Sequence, residues 1–385
     1  MTADEDLVHA RVDRLLVEHP PDRTAFADFL GAQFDAGLAW VHFPEGKGGL
    51  GVSVALQAVV KARLDAAGAP DGFFRNPIGY GMGGPTVMAH GSDAQRARYL
   101  RPNFTCEEVW CQLFSEPGAG SDVASLATRA VRDGDEWVVN GQKVWTTLAH
   151  TARWGMLLAR TDPDVPKHEG LTYFVVDMRA PGVDVRPLRQ ITGDAEFSEV
   201  YFTDVRIPDD ERLGEVGDGW RVSTTTLMNE RYNMPTPPRR GEGAIAGVVG
   251  AWHGAGRAPS HADRVLSAWC DAEVARLTAV RAAQARAAGT PGPEGSVGKL
   301  GLGELSKRLA TLHVDLMGAD GTRYDSYDTA PDVAAPQRSF LNSMQSTIAG
   351  GTSEIMRNIL GERVLGLPPE ARVDKGVPWS KVPRS

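Results

Sequence analysis

The stretch Ser115-Glu116-Pro117-Gly118-Ala119-Gly120-Ser121-Asp122 decides the reading of this chain. It is a loop of small residues with hydroxyls at both ends. Its glycines let a ligand approach the backbone closely, and Ser115 and Ser121 can donate hydrogen bonds to it. Glycine-rich loops with free backbone N–H groups favour bound phosphate. No Lys-Ser/Thr pair follows the glycines, so this is not a Walker A sequence. No third glycine opens a helix, so it is not a dinucleotide fingerprint either. Alone, the stretch reads more readily as a surface turn. It is accompanied by Gly141-Gln142-Lys143-Val144-Trp145-Thr146-Thr147 and by Gly350-Gly351-Thr352-Ser353-Glu354-Ile355.

The surrounding chain is ordinary in bulk. Its 385 residues suffice for about two or three domains. Hydrophobic residues at 42% and charged residues at 23% fit a globular protein. A net charge of −8 argues against nucleic-acid binding through a basic surface. Cys106, Cys111 and Cys270 form no CxxC pair and leave one thiol over in any disulfide scheme, which fits a reducing cytoplasm. The segment Met1 to Ala10 is acidic and lacks a signal peptide's apolar core. No apolar run approaches the roughly 18 residues of a spanning helix, so no membrane association is expected. His253, His261 and His313 show no ligand spacing, and no metal site is expected. No Gly-x-Ser-x-Gly elbow is present.

Periodicity divides the chain in three. Phe26, Phe29, Leu30, Phe34 and Leu38 recur at helical spacing, and Leu50 to Leu64 reads as a further helix. Gly79 to Pro85 reads as a loop or helix entry. Beyond Val109 the pattern turns to β. Asp133-Gly134-Asp135 and Asn140-Gly141 between β-prone runs predict a three-strand antiparallel meander from Thr128 to Thr147. Trp154–Ala159, Leu171–Met178 and Val200–Val205 add strands without intervening helices, which argues for a compact β domain. Asp209-Asp210-Glu211-Arg212 reads as a solvated structural loop. Helical spacing returns at Trp220, with Leu266–Ala288 and Val297–Met317 as long helices and Ile355–Leu360 as the last. Pro235 to Gly243 breaks this region, and the polar tail after Glu370 is expected to be loosely held.

The three glycine-containing blocks, in this order, resemble the acyl-CoA dehydrogenase family of flavoproteins. The resemblance runs from about Phe34 to Pro368. It implies an α+β fold with an N-terminal helical domain (1–110), a central antiparallel β-barrel-like domain (111–218) and a C-terminal four-helix bundle (219–385). It implies bound FAD between the last two. By this resemblance Ser115, Gly120 and Ser121 lie along the flavin, with Gln112 and Phe114 near its ring. Trp145 covers a flavin face and Thr147 lies near N5. Thr352 and Glu354 contact the ribityl and adenosine portion. Residue by residue, Thr352 or Ser353 also suits a helix N-cap, with Glu354 in the first turn. Without the flanking blocks, Trp145 reads as a cross-strand aromatic on a buried sheet face.

The implied reaction removes a proton beside a thioester carbonyl while a hydride leaves the next carbon for the flavin. In most members the base is a Glu directly before the Gly-Thr pair of the last block. Here that position is Gly350, which leaves only space on the substrate side. A minority of members place the Glu in a Leu-x-x-Glu-Arg segment, matched by Leu227-Met228-Asn229-Glu230-Arg231. Glu230 is therefore the candidate base, with a solvated helix carboxylate as the alternative. Arg231 is a candidate for the thioester or CoA, and Ser121 also lies on the substrate side.

The resemblance frays at Gly254 to His261, where the family's Arg-x-x-Phe and Gln toward a neighbouring subunit's flavin are missing. It frays again at Asp315, where a Gln is usual. These departures resemble an actinobacterial branch that includes enzymes of steroid-derived CoA thioesters and members that work as half of a heterotetramer. Implied partners are an acyl-CoA, an electron-transferring flavoprotein, and further subunits in a homodimer, homotetramer or heterotetramer. Two other functions stand beside this one, an oxygen-using flavoenzyme of the same fold and a flavin-poor scaffolding subunit.

Overall fold

The computed structural model describes residues 2–232, 238–288, 290, 292–324 and 335–382; the side chains at 230–232, 286 and 287 are not included. The chain forms two compact units. One comprises Met1–Leu188, Glu196–Glu230 and Val373–Ser385, and the other Arg189–Ala195 and Arg231–Arg372.

The first unit opens with helices α1 (Ala3–Glu18), α2 (Phe26–Asp35), α3 (Gln57–Ala66), α4 (Gly84–His90) and α5 (Asp93–Phe104). The chain punctuates them locally. Thr2 and Ser92 form capping boxes with Glu5 and Gln95 at α1 and α5. The expected helix at Leu50–Leu64 begins later, because Ser53 starts a 3-10 turn ahead of α3. The glycine-dense Gly79–Gly83 is a π-helical turn leading into α4. Buried Asn76 organises it. Asn76 donates to the backbone and side-chain oxygens of Asn103, and its carbonyl accepts from Gly79 and Trp110 N–H.

Eight strands follow: β1 (Trp110–Leu113), β2 (Arg129–Asp133), β3 (Glu136–Thr147), β4 (Trp154–Arg160), β5 (Leu171–Asp177), β6 (Val183–Leu188), β7 (Phe197–Pro208) and β8 (Arg212–Leu213). They make one mostly antiparallel sheet in the order β6-β7-β3-β2-β4-β5-β8, with β1 parallel to β4. β4 is buried along its whole length because the sheet is covered on both faces. Met156 and Leu158 join the core of the N-terminal helices, while Leu157 and Ala159 pack with Phe174, Val200 and Phe202 on the opposite side.

Two expectations fail here. The meander has two strands, not three. Gly134 makes the turn between β2 and β3, but Asn140-Gly141 lies inside β3. A Cβ on Gly141 would lie 2.4 Å from Thr128 Oγ1, so this glycine serves close approach, and the β3–β7 register shifts beside it. The tail, expected to be loose, is docked. Trp379 N–H donates to Val165 O, and Ser380 N–H to Pro163 O.

Helix α6 (Gly219–Tyr232) follows the sheet, its residues up to Glu230 belonging to the first unit. The second unit contains α7 (Ala244–Gly254), α8 (Pro259–Ala287), α9 (Glu294–Leu316), α10 (Pro336–Ser343) and α11 (Ser353–Ile359). Ile245, Val248, Val265, Ala268, Leu305, Leu309 and Leu312 form the core of α7, α8 and α9. The α9 helix is central, packing against α7, α8, α10 and α11. Residues 233–237, within the expected proline break, lie outside the described residues.

Candidate active site

The glycine loop and the following strand are built as one piece. Glu116 and Ala119 exchange backbone hydrogen bonds at 3.0 Å and close the turn. Val144 N–H donates to Ser115 O at 2.9 Å, which lays the loop beside β3. Beneath the turn lies Lys143, fully buried. Its ammonium donates to Phe114 O at 3.0 Å and to Glu116 Oε1 at 2.8 Å. Glu116 also accepts from the N–H groups of Ala127 and Thr128. A buried ion pair is tolerable only when so fully hydrogen-bonded. Burial alone would raise the Glu116 carboxyl, but the Lys143 charge and these hydrogen bonds outweigh it and hold it below its ordinary value.

This frame leaves a polar, open rim. A Cβ at Gly118 or Gly120 would meet nothing within 4 Å. The side chains of Gln112, Ser115, Ser121 and Thr147 make no hydrogen bond among the described residues. Thr146 and Ser198, opposite each other in register and buried, also carry unpartnered hydroxyls. Trp145 has φ of 61° and is 61% exposed, its edge meeting Phe197 at 6.1 Å. A bulky residue in the left-handed region is a strained arrangement of the kind found at ligand sites. It turns the indole out of the strand's alternation, so Trp145 is not a buried cross-strand aromatic. Phe114 is instead a core residue, edge-on to Tyr173.

Glu230 lies on α6, and its side chain and that of Arg231 are outside the described residues. The helix is clamped one turn earlier. Thr226 Oγ1 lies 2.9 Å from Thr86 Oγ1 and 3.1 Å from Tyr173 Oη, all buried, and Thr225 Oγ1 is 2.8 Å from His90 Nε2. Gly219 at the helix start packs on the backbone of Leu171 and Thr172.

Within the second unit, Thr352 caps α11 by accepting from Ile355 N–H. Ser353 Oγ donates to Glu304 at 3.0 Å, and exposed Glu354 pairs with Arg357. Gly350 and Gly351 have φ of 66° and 103°. A carboxylate residue at 350, where most of the family is expected to carry its base, would be backbone-strained in this chain. Asp315 is paired with Arg264 at 2.6 Å. Asp209, expected to be solvated, receives Trp137 Nε1–H at 2.7 Å, and Glu211 accepts from Tyr99 Oη. No group of metal-ligating side chains occurs among the described residues.

Three domain signatures match consecutively. They are the acyl-CoA dehydrogenase N-terminal domain at residues 5–107, the middle domain at 111–205 and the C-terminal domain at 217–365. The chain belongs to the acyl-CoA dehydrogenase family. The family's members are flavoprotein oxidoreductases. Acyl-CoA dehydrogenase IpdE1 of Mycobacterium tuberculosis is 41% identical over 354 residues, covering 88% of this chain and 86% of that protein. Acyl-CoA dehydrogenase FadE34 of the same organism is also 41% identical over 87% of this chain, which spans 45% of its length. Among solved structures, the steroid ACAD Tcur3481-Tcur3483 superposes with a TM-score of 0.72 at 26% identity, over 96% of this chain and 98% of that one. The ChsE4-ChsE5 complex from Mycobacterium tuberculosis gives 0.71 at 27%, over 96% and 99%.

Sequence reasoning missed the Lys143–Glu116 pair and the Thr86–Thr226–Tyr173 hydroxyls. A lysine inside an otherwise apolar β run was the available signal for the first. The second joins three distant segments and left no local trace.

Proposed function

We propose that this chain binds FAD on the rim formed by Gln112, Ser115, Gly120, Ser121, Trp145 and Thr147, with Thr352 and Glu354 on the adenosine side. On this reading it dehydrogenates an acyl-CoA thioester to the 2-enoyl-CoA. The observation that carries this is Trp145, held exposed in a strained backbone beside unpartnered hydroxyls. The donor set suits an aromatic ring linked to an anionic pyrophosphate. Gly118 and Gly120 allow close approach, Ser115 and Ser121 offer donors, and the indole offers a planar apolar face. Bound FAD supplies a two-electron acceptor for the hydride leaving the β-carbon.

The chain's own residues do the rest. Glu230 takes the α-proton, and the clamped preceding turn of α6 fixes the backbone that carries it. Ser121 and Arg231 hold the CoA side, and Gly350 leaves room for the substrate. We assign residues 1–110 and 111–218 to acyl and flavin binding and 219–385 to the base and subunit contacts. A cytoplasmic enzyme of this kind would pass electrons to an electron-transferring flavoprotein. Its acyl group is taken to be bulky, in line with the steroid ACAD among its structural neighbours.

A second reading is favoured by one observation. The Gly254–His261 connection between α7 and α8 is a short turn with Arg257 at φ of 57°, and it lacks the aromatic and amide expected to reach a neighbour's flavin. A heteromer, as the ChsE4-ChsE5 complex is, would supply those groups from another chain.

The test is the visible spectrum of the purified protein, followed by anaerobic addition of straight-chain, branched and steroid-derived acyl-CoAs. Flavin bleaching by one class supports the proposal. Colourless protein that releases no FAD on denaturation refutes it for the chain alone, and rapid reoxidation in air identifies an oxygen-using enzyme.

A further inference from the structure

The C-terminal segment touches the glycine loop through one buried lysine. Lys167 Nζ donates to both Asp122 oxygens at 2.9 and 2.7 Å and pairs with Asp374 at 2.5 Å. Lys167 is 8% exposed and Asp374 15%. Asp122 is the last residue of the Ser115–Asp122 stretch, and it also accepts from Ser125 Oγ at 2.6 Å. The carbonyls that follow are all taken. Arg160 donates to Ala124 O, Leu126 O and Lys167 O, and Trp379 Nε1–H donates to Ser125 O at 3.2 Å. The Arg160 guanidinium lies 4.3 Å from the centre of the Trp379 ring. Pro378 bridges to Pro166, and Ser380 Oγ donates to Asp164.

Exposed polar tails rarely commit a tryptophan and a buried carboxylate to one patch of their own domain. The patch here is the end of the loop assigned to the cofactor. The Asp122 carboxylate and the Ala124–Leu126 carbonyls have partners only from Lys167, Arg160, Ser125 and Trp379 among the described residues. Two of these four, Lys167 and Arg160, are braced by the tail, and a third, Trp379, belongs to it.

We propose that residues 373–382 are a strap belonging to the cofactor site, with Asp374 and Trp379 as positioning residues that hold the Asp122 end of the glycine loop. The loop would otherwise be ordered at the moment of binding, and preordering spares that cost. The consequence for affinity rests on the FAD reading; the ordering of the loop does not.

The experiment compares full-length wild type with Asp374→Asn, Trp379→Ala and the double variant. Amide hydrogen exchange in flavin-free protein reads the loop directly. Exchange at residues 115–127 should speed up about tenfold, the order of one charge-assisted hydrogen bond, with β4 and β5 unchanged. The dissociation constant for FAD should rise by about the same factor. Unchanged loop exchange overturns the strap, as does acceleration spread equally through β4 and β5. If no variant or wild type binds FAD, the exchange result still decides the strap, and it is the FAD reading that has failed.

Discussion

Lys143 Nζ and Glu116 Oε1 lie 2.8 Å apart in the interior, so one ion pair fastens β3 to the glycine loop. Removing one partner strands the other charge. Lys143→Met should cost about 3–5 kcal/mol, and Lys143→Met with Glu116→Gln should cost clearly less than the sum of the single changes. Urea unfolding of the flavin-free variants measures both.

The same pair sets an acid limit. The Glu116 carboxyl is lowered in the fold, so its contribution is complete above its ordinary value of 4.5 and is lost as pH falls through the folded value. Wild-type stability should therefore fall below about pH 4.5, and Glu116→Gln should show a shallower slope in that range. Equal slopes would show that Glu116 does not drive the acid transition.

Trp145 separates binding from stability. Its side chain is exposed, so Trp145→Ala should leave the unfolding midpoint of flavin-free protein nearly unchanged while flavin retention drops about tenfold. Trp145→Gly should raise flavin-free stability by about 1 kcal/mol, because glycine carries no left-handed penalty. Retained flavin in both variants would remove Trp145 from the proposed flavin site.

Glu230→Gln preserves shape and removes basicity. Anaerobic flavin reduction by a substrate that bleaches the wild type should slow by about 10²–10⁴-fold, with flavin content unchanged. Reduction at the wild-type rate would require another base.

The second unit exposes Leu266, Val274 and Leu277 on α8 and Val297 and Leu302 on α9. Such apolar side chains on neighbouring helices suit subunit contact. Val274→Glu with Leu302→Glu should shift the sedimenting species toward the 41.4 kDa monomer. A wild type already monomeric at micromolar concentration would remove the premise.

What the sequence disclosed followed the range of its signals. The long helices α8 and α9 and the all-buried β4 were legible because periodicity and apolar runs are local. The Asp133-Gly134-Asp135 turn was legible for the same reason. Asn140-Gly141 misled because a hairpin dipeptide and a close-packing glycine are written alike; only Thr128, across the sheet, distinguishes them. The short β1 and β6 carry too few residues for a pattern. At the site, the order of the three blocks brought Ser115, Trp145 and Thr352 into view. The pairing of Lys143 with Glu116 and the docking of Trp379 join residues far apart in the chain, and composition is silent about them. The tail looked polar, yet its tryptophan was the sign that it docks.

The placement of Asn140-Gly141 inside β3 rather than in a turn bears on chemical ageing. Asn-Gly is the dipeptide most prone to spontaneous deamidation, because the glycine nitrogen can turn back onto the amide carbon and close a succinimide ring. Here the Asn140 amide is held on both sides, accepting from Asp204 N–H at 3.0 Å and donating to the Asp204 carboxylate at 2.9 Å. The extended strand keeps the following nitrogen from folding back. Shelf life at this position is thus a property of the fold, and an isoaspartate found at 140 in stored protein would record past local unfolding of β3 from β7.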